Sequence, residues 1–111
     1  MENRQFERFN CEIGSTFKNL DAASASPVAD TVIQDISEGG LRFRANNFVS
    51  VHNKLLFKIN IPNRKSIEAV AQPAWIKEIP HLNQYDIGAK FLSLSDQDRE
   101  IIRQFTSELP F

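Results

Sequence analysis

The chain has 111 residues, of which 41% are hydrophobic and 24% charged, and a formal net charge of -1. That is the size and balance of one globular domain with a single core. It argues against a general binder of nucleic-acid polymers, which needs an excess of Lys and Arg. Cys11 is the only cysteine, so no intrachain disulfide can form and nothing points to an oxidising compartment. The first residues carry no apolar stretch of signal-peptide type, and Leu55-Leu56-Phe57 is far too short to span a membrane. A soluble, cytoplasmic protein without membrane insertion is expected.

Period-two alternation, the strand signal, runs through most of the chain. Phe9, Cys11 and Ile13 share one parity, with Phe17 further on. Residues 21–29 are small and polar with a proline, and read as a loop. In the next strand Val32, Gln34 and Ile36 point one way and Ile33, Asp35 and Ser37 the other. Glu38-Gly39-Gly40 is a turn. Beyond it Leu41 and Phe43 face one side, Arg42 and Arg44 the opposite one. After a connection over 45–53, Leu55, Phe57, Ile59 and Ile61 make a clean apolar face. Pro62-Asn63-Arg64-Lys65 is a turn, and Ile67, Ala69 and Ala71 open another strand. Pro73 cannot donate to a ladder, so it marks an edge or a bulge. Ala74, Trp75 and Ile76 follow, with Trp75 read as a packing residue or, if exposed, an anchor for a partner. His81-Leu82-Asn83-Gln84 turns into a last strand with Tyr85, Ile87, Ala89 and Phe91 on one face.

The period then changes. Ser95 is a good N-cap with Asp98 in the capping-box position, and Asp96 and Asp98 suit the positive end of a helix dipole. Ile101, Ile102, Phe105 and Leu109 recur at helical spacing, and Pro110 ends the element. The expectation is an all-β domain: about six antiparallel strands closed into a barrel, which removes their edges, followed by a C-terminal α-helix over 95–109. The helix stripe would pack on the barrel or cover one mouth.

Two clusters carry candidate chemistry. Arg4-Gln5-Phe6-Glu7-Arg8 places two arginines four apart ahead of the first strand. Asp35-Ile36-Ser37-Glu38-Gly39-Gly40 ends a strand and begins a turn. Together they resemble the RxxxR and (D/N)xSxxG signatures of the PilZ family. Ala74-Trp75-Ile76, the segment Tyr85-Asp86-Ile87-Gly88-Ala89-Lys90-Phe91 and the terminal helix are similar to the family as well, so the resemblance covers nearly the whole chain. It implies a six-stranded antiparallel barrel with a C-terminal helix, spanning 1–111 as a single domain. It also implies a receptor or adaptor for cyclic di-GMP that changes conformation on binding and signals through an unidentified effector protein. No cofactor, metal or enzymatic activity is implied.

The site residues that follow from the resemblance are Arg4, Arg8, Asp35, Ser37, Gly39 and Gly40. Cyclic di-GMP offers phosphates, guanine Hoogsteen edges and flat aromatic faces, and arginine serves all three. Arg4 and Arg8 would clamp phosphate and guanine from a flexible N-terminal segment, residues 1–8, that orders on binding. Asp35 would accept from the guanine N1–H and N2–H₂ donors, with Ser37 projecting from the same face and Ile36 anchoring the strand inward. Gly39 and Gly40 would supply positive φ and a close approach to the backbone. Many family members carry another arginine directly before the first motif arginine; here that position is Asn3, which leaves the ligand stoichiometry open.

Other readings compete. Arg99 and Arg103 match the RxxxR spacing too, but belong to the helix and are expected on its solvent face. Arg42 and Arg44 are extra positive charge for the ligand or ordinary solvent-facing strand residues. Cys11, on the apolar parity of its strand, reads as core rather than nucleophile. His52 and His81 sit in loops without the spacing of a metal site. The main functional alternative is a PilZ-like interaction module that binds no nucleotide. A small barrel for single-stranded nucleic acid would need a basic, aromatic groove.

Overall fold

The computed structural model describes residues 9–21 and 28–108. The elements are β1 (Phe9–Asn19), β2 (Ala29–Ile36), β3 (Gly40–Ala45), β4 (Leu55–Ile59), β5 (Ile67–Ile79), a 3₁₀ turn over Pro80–Leu82, β6 (Gln84–Ser93) and α1 (Asp96–Ser107). The strands form a closed antiparallel barrel in the order β1-β2-β3-β6-β5-β4. Closure comes from β1, which pairs with β2 on one side and with β4 on the other. The alternating pattern explains the barrel directly. Leu41 and Phe43 on β3, Leu55, Phe57 and Ile59 on β4, and Ile87 and Ala89 on β6 are all buried. Their neighbours in sequence face outward.

Three phenylalanines knit the walls together inside. Phe17 of β1 stacks on Phe57 of β4 at 5.5 Å between centroids, and Phe43 of β3 meets both edge-on, at 5.1 and 4.9 Å. Such pairs contribute about 0.5–1.5 kcal/mol each beyond their burial. Asn63 and Asn83, both at positive φ, make the reversals between β4 and β5 and between β5 and β6. Asparagine tolerates the left-handed region better than other residues with a Cβ.

Ser95 caps α1, its hydroxyl accepting the Asp98 N–H at 3.0 Å. The reciprocal half of the capping box is absent: the Asp98 carboxylate instead accepts the Glu68 N–H at 3.4 Å. Ile102 and Phe105 are buried in the core cluster, with Ile101 packed partly against it. The helix lies over the barrel mouth where the β2–β3 and β4–β5 turns emerge, reaching Glu38 in the first and Arg64 in the second. No helix among the described residues is long and apolar enough to cross a membrane.

Two bulges depart from simple alternation. On β5, Pro73 pairs with Ala89 and Trp75 with Gly88, so Ala74 is an extra residue. Pro73 marks a bulge there, as its missing N–H predicts. On β2, Ile33 pairs with Phe43, Asp35 with Arg42 and Ile36 with Leu41, so two residues, Gln34 and Asp35, stand opposite Arg42 alone. The second bulge corrects the sequence reading. Parity put Ile33 and Ile36 on opposite faces, but both are fully buried. The extra residue restores Ile36 to the core and leaves Asp35 beside Arg42 on the outer wall.

Candidate functional site

The β2 bulge builds the site. Asp35 Oδ2 accepts from Arg42 Nε at 2.7 Å, and Arg42 Nη1 donates to Asp86 at 3.1 and 3.3 Å. Asp35 is 7% exposed, so its carboxylate is a nearly buried acceptor held by a cation rather than a freely solvated one. The Asp35 hydrogen bond, the largest influence, raises the Arg42 pKa above its ordinary value against the opposing effect of burial. Arg42 stays charged at any physiological pH, and it fixes the orientation of two carboxylates from two different strands. Arg44, two residues on, has a buried Nε with no hydrogen-bond partner among the described residues. Both arginines are outward-facing, as their parity predicts.

The motif turn follows immediately. The Ser37 N–H donates to the Gly40 carbonyl at 2.9 Å, and the Gly39 N–H donates to Ser37 Oγ at 3.1 Å. Ser37 is 4% exposed, and its hydroxyl is engaged in shaping the turn. The Gly39 carbonyl accepts the Phe91 N–H at 3.0 Å, which ties the turn to β6. No described glycine adopts positive φ, so conformational freedom is not what Gly39 and Gly40 contribute. Gly40 is required for space instead: a Cβ there would lie 2.2 Å from the Ala89 carbonyl oxygen. The close approach is therefore to a neighbouring strand of the barrel.

The outer wall continues the row across four strands, β2, β3, β6 and β5. Asp35 pairs with Arg42, Arg42 with Gly88 and Gly88 with Trp75. A Cβ on Gly88 would lie 2.2 Å from the Trp75 indole Nε1, so the ring lies flat across the space that a side chain would fill. Trp75 remains 41% exposed. One ring face packs on the wall while part of the ring meets solvent beside the Asp35–Arg42 pair. Sequence reasoning assigned Trp75 to packing or, if exposed, to anchoring a partner, and gave Asp86 no role. The signal for Trp75 was present, since a glycine inside a strand pattern marks a close approach.

Arg4 and Arg8 lie outside the described residues, as does the rest of the expected clamping segment 1–8. The second RxxxR pair is not simply solvent-facing. Arg99 Nη1 donates to the Glu38 carbonyl at 2.8 Å. Arg103 forks onto the Glu38 carboxylate through Nε at 3.2 Å and Nη2 at 2.8 Å. Spacing of four places both arginines on the helix side that overlooks the β2–β3 turn. The partner is far away in sequence, which is why local reading missed it.

Other candidates fall away on geometry. Burial, then the charges of Asp35 and Glu12, push the Cys11 thiol up to about 12, which makes it a poor nucleophile at neutral pH. His52 and His81 are exposed, and no group of potential metal ligands exists among the described residues. A groove of about 230 Å³ at the opposite mouth is flanked by Phe17, Lys18, Asp30 and Phe48. It lies at the far end of the barrel from the motif turn.

The family question is decided by a match to the PilZ domain model over residues 2–108. The chain belongs to the PilZ family. Solved PilZ-type structures share its fold at low identity. The motility inhibitor MotI/DgrA of Bacillus subtilis superposes with a TM-score of 0.76 at 16% identity, covering 98% of this chain and 55% of that one. YcgR of Escherichia coli, solved in complex with c-di-GMP, gives 0.75 at 14% identity, covering 96% and 46%. PlzA of Borreliella burgdorferi, also a c-di-GMP complex, gives 0.65 at 14%, covering 94% and 41%. This PilZ chain thus spans about half the length of MotI and YcgR. No curated protein matches it.

Proposed function

We propose that this PilZ domain is a cyclic di-GMP receptor, cytoplasmic and non-enzymatic, that signals by contact with an effector protein. The carrying observation is the bulge that turns Asp35 to the outer wall, next to the Ser37–Gly40 turn and in one row with the exposed Trp75 indole. A carboxylate oriented by Arg42 suits the N1–H and N2–H₂ donors of guanine. An indole face suits its π-system, and stacking on an aromatic is worth about 1–3 kcal/mol per base. The arginines assigned by the motif, Arg4 and Arg8, supply the phosphate and Hoogsteen contacts in this reading. The c-di-GMP complexes of YcgR and PlzA, on the same fold, support the choice of ligand.

One observation favours the alternative, an interaction module without nucleotide: Asp35 is already hydrogen-bonded to Arg42. A carboxylate has about four lone-pair sites, however, so the ion pair with Arg42 does not by itself exclude a base. Calorimetric titration with cyclic di-GMP and cyclic di-AMP decides between the two. Adenine lacks O6 and the N2 amine, and each lost bidentate contact costs about 1–3 kcal/mol. Binding of the guanine dinucleotide with clear preference over the adenine one is expected. Equal affinity, or no binding of either, overturns the receptor reading.

A further inference from the structure

The contact between the motif turn and α1 has no counterpart in the ligand chemistry, yet it holds the turn from the side opposite its strands. Glu38 occupies a motif position that the (D/N)xSxxG pattern leaves unrestricted. Its carboxylate receives the Arg103 fork and its carbonyl receives Arg99 Nη1. Arg103 is further held by Glu100 at 2.6 Å, so the guanidinium bridges helix and turn. The Glu38 side chain is 21% exposed and that of Arg103 55%, so the carboxylate is the sheltered partner and the guanidinium faces solvent on its outer side. One residue away on either side, Ser37 and Gly39 make the hydrogen bonds that define the turn. Any motion that pulls Glu38 toward or away from α1 must therefore move Ser37 and, through the strand, Asp35.

We propose that Arg99 and Arg103 are positioning residues for the dinucleotide site: through Glu38 they hold the Ser37–Gly40 turn in its ligand-accepting arrangement and couple occupancy of the site to docking of α1. This rests on the reading of that turn as part of the cyclic di-GMP site. Ile102 and Phe105 on the same helix are part of the core cluster, so the helix itself is firmly seated. The arginines transmit its position to the turn. Linkage makes the effect reciprocal: whatever the clamp adds to ligand affinity, the ligand adds to the clamp. An effector that grips or displaces α1 would then tune ligand affinity, and ligand would tune the effector's hold.

The test is a double-mutant cycle on Glu38→Ala and Arg103→Ala, with Arg99→Ala and the charge exchange E38R with R103E. Three quantities are read: amide exchange of Ser37, Gly39 and Gly40 in the free protein, affinity for cyclic di-GMP, and thermal midpoint. Each single variant is expected to speed exchange at the turn and to weaken binding roughly two- to thirtyfold, the span of indirect coupling effects. The E38A and R103A losses should be strongly non-additive, and the charge exchange should recover most of the affinity. In the parent, added ligand should slow exchange in residues 101–106. Turn amides that exchange as in the parent, with unchanged affinity, overturn the proposal, as do additive losses or a charge exchange without rescue. Should the parent fail to bind the dinucleotide, the receptor reading falls, and turn exchange in the ligand-free variants alone decides whether the clamp exists.

Discussion

The guanidinium of Arg42 bonds Asp35 on one side and Asp86 on the other, across three adjacent strands of the barrel wall. The motif carboxylate is thus positioned by a residue outside the motif. Asp35→Asn keeps the shape and one acceptor but removes the charge and misplaces a donor toward guanine N1–H. It should reduce cyclic di-GMP affinity about tenfold or more, since 1.4 kcal/mol is a factor of ten. Arg42→Ala should also weaken binding, by removing a donor that orients the carboxylate. It should destabilise the fold by roughly 1–3 kcal/mol, because two partly buried carboxylates lose a donor. Calorimetry and urea unfolding on both variants check the pair of effects. Unaltered affinity in Asp35→Asn would remove the carboxylate from the site.

Trp75 is the only tryptophan in the chain. Its intrinsic fluorescence therefore reports one place, the outer wall beside Arg42. Titration with cyclic di-GMP should change its intensity or emission maximum along the calorimetric binding curve. Trp75→Ala should weaken binding by about 1–3 kcal/mol, and Trp75→Phe by less. A fluorescence signal blind to saturating ligand would place the base elsewhere.

Gly40→Ala tests the turn as a steric device. The added Cβ meets backbone, the Ala89 carbonyl oxygen, and not a side chain able to swing aside. Strands β3 and β6 must separate locally, at a cost of about 1–3 kcal/mol for overpacking, and more if the Phe91–Gly39 hydrogen bond is lost as well. A lower thermal midpoint is expected with or without ligand. Gly14→Ala, where a Cβ meets nothing within 4 Å, is the matched control and should have little effect.

Cys11 gives a pH-dependent prediction. Its thiol is raised from the ordinary value of 9.0 to about 12 in the folded protein, chiefly by burial. Folding therefore favours the protonated form. The stability this contributes is full below pH 9 and is lost as pH rises from there toward 12. Alkylation at pH 8 should be slow in the native protein and fast in urea. Equal rates would mean that the thiol is not buried as described.

Arg4→Ala and Arg8→Ala should each weaken cyclic di-GMP binding about tenfold or more by removing a charge-assisted contact to the ligand. Binding indifferent to both substitutions would detach the RxxxR motif from the site.

Much of the barrel was legible because its inward faces are chemically plain. Leu55, Phe57 and Ile59 announce β4, Ile87 and Ala89 fix the β6 face, and Ser95 sets the start of α1. The β2 face was misread because period two has no place for an extra residue. The clue lay in Ile33 and Ile36, two core-seeking residues three apart in a strand, which only a bulge can bury together. The remaining parts of the site were illegible for a different reason. Arg42 meets Asp86 across 44 residues and Arg103 meets Glu38 across 65. Charge pairs at that range are set by topology, and no local pattern encodes them.

The bulge before the motif also limits how portable that motif is. The hexapeptide from Asp35 to Gly40 turns Asp35 to the outer wall, while Ile33 and Ile36 both stay in the core, only because Gln34 supplies one surplus residue upstream. Placed two residues after a core position like Ile33 on a strand without the bulge, the same six letters would carry Asp35 into the apolar interior and expel Ile36 from it. An engineer transplanting this recognition element would have to move the irregularity with it. Two chains that share the letters but differ by one residue just ahead of them would present opposite faces to a ligand.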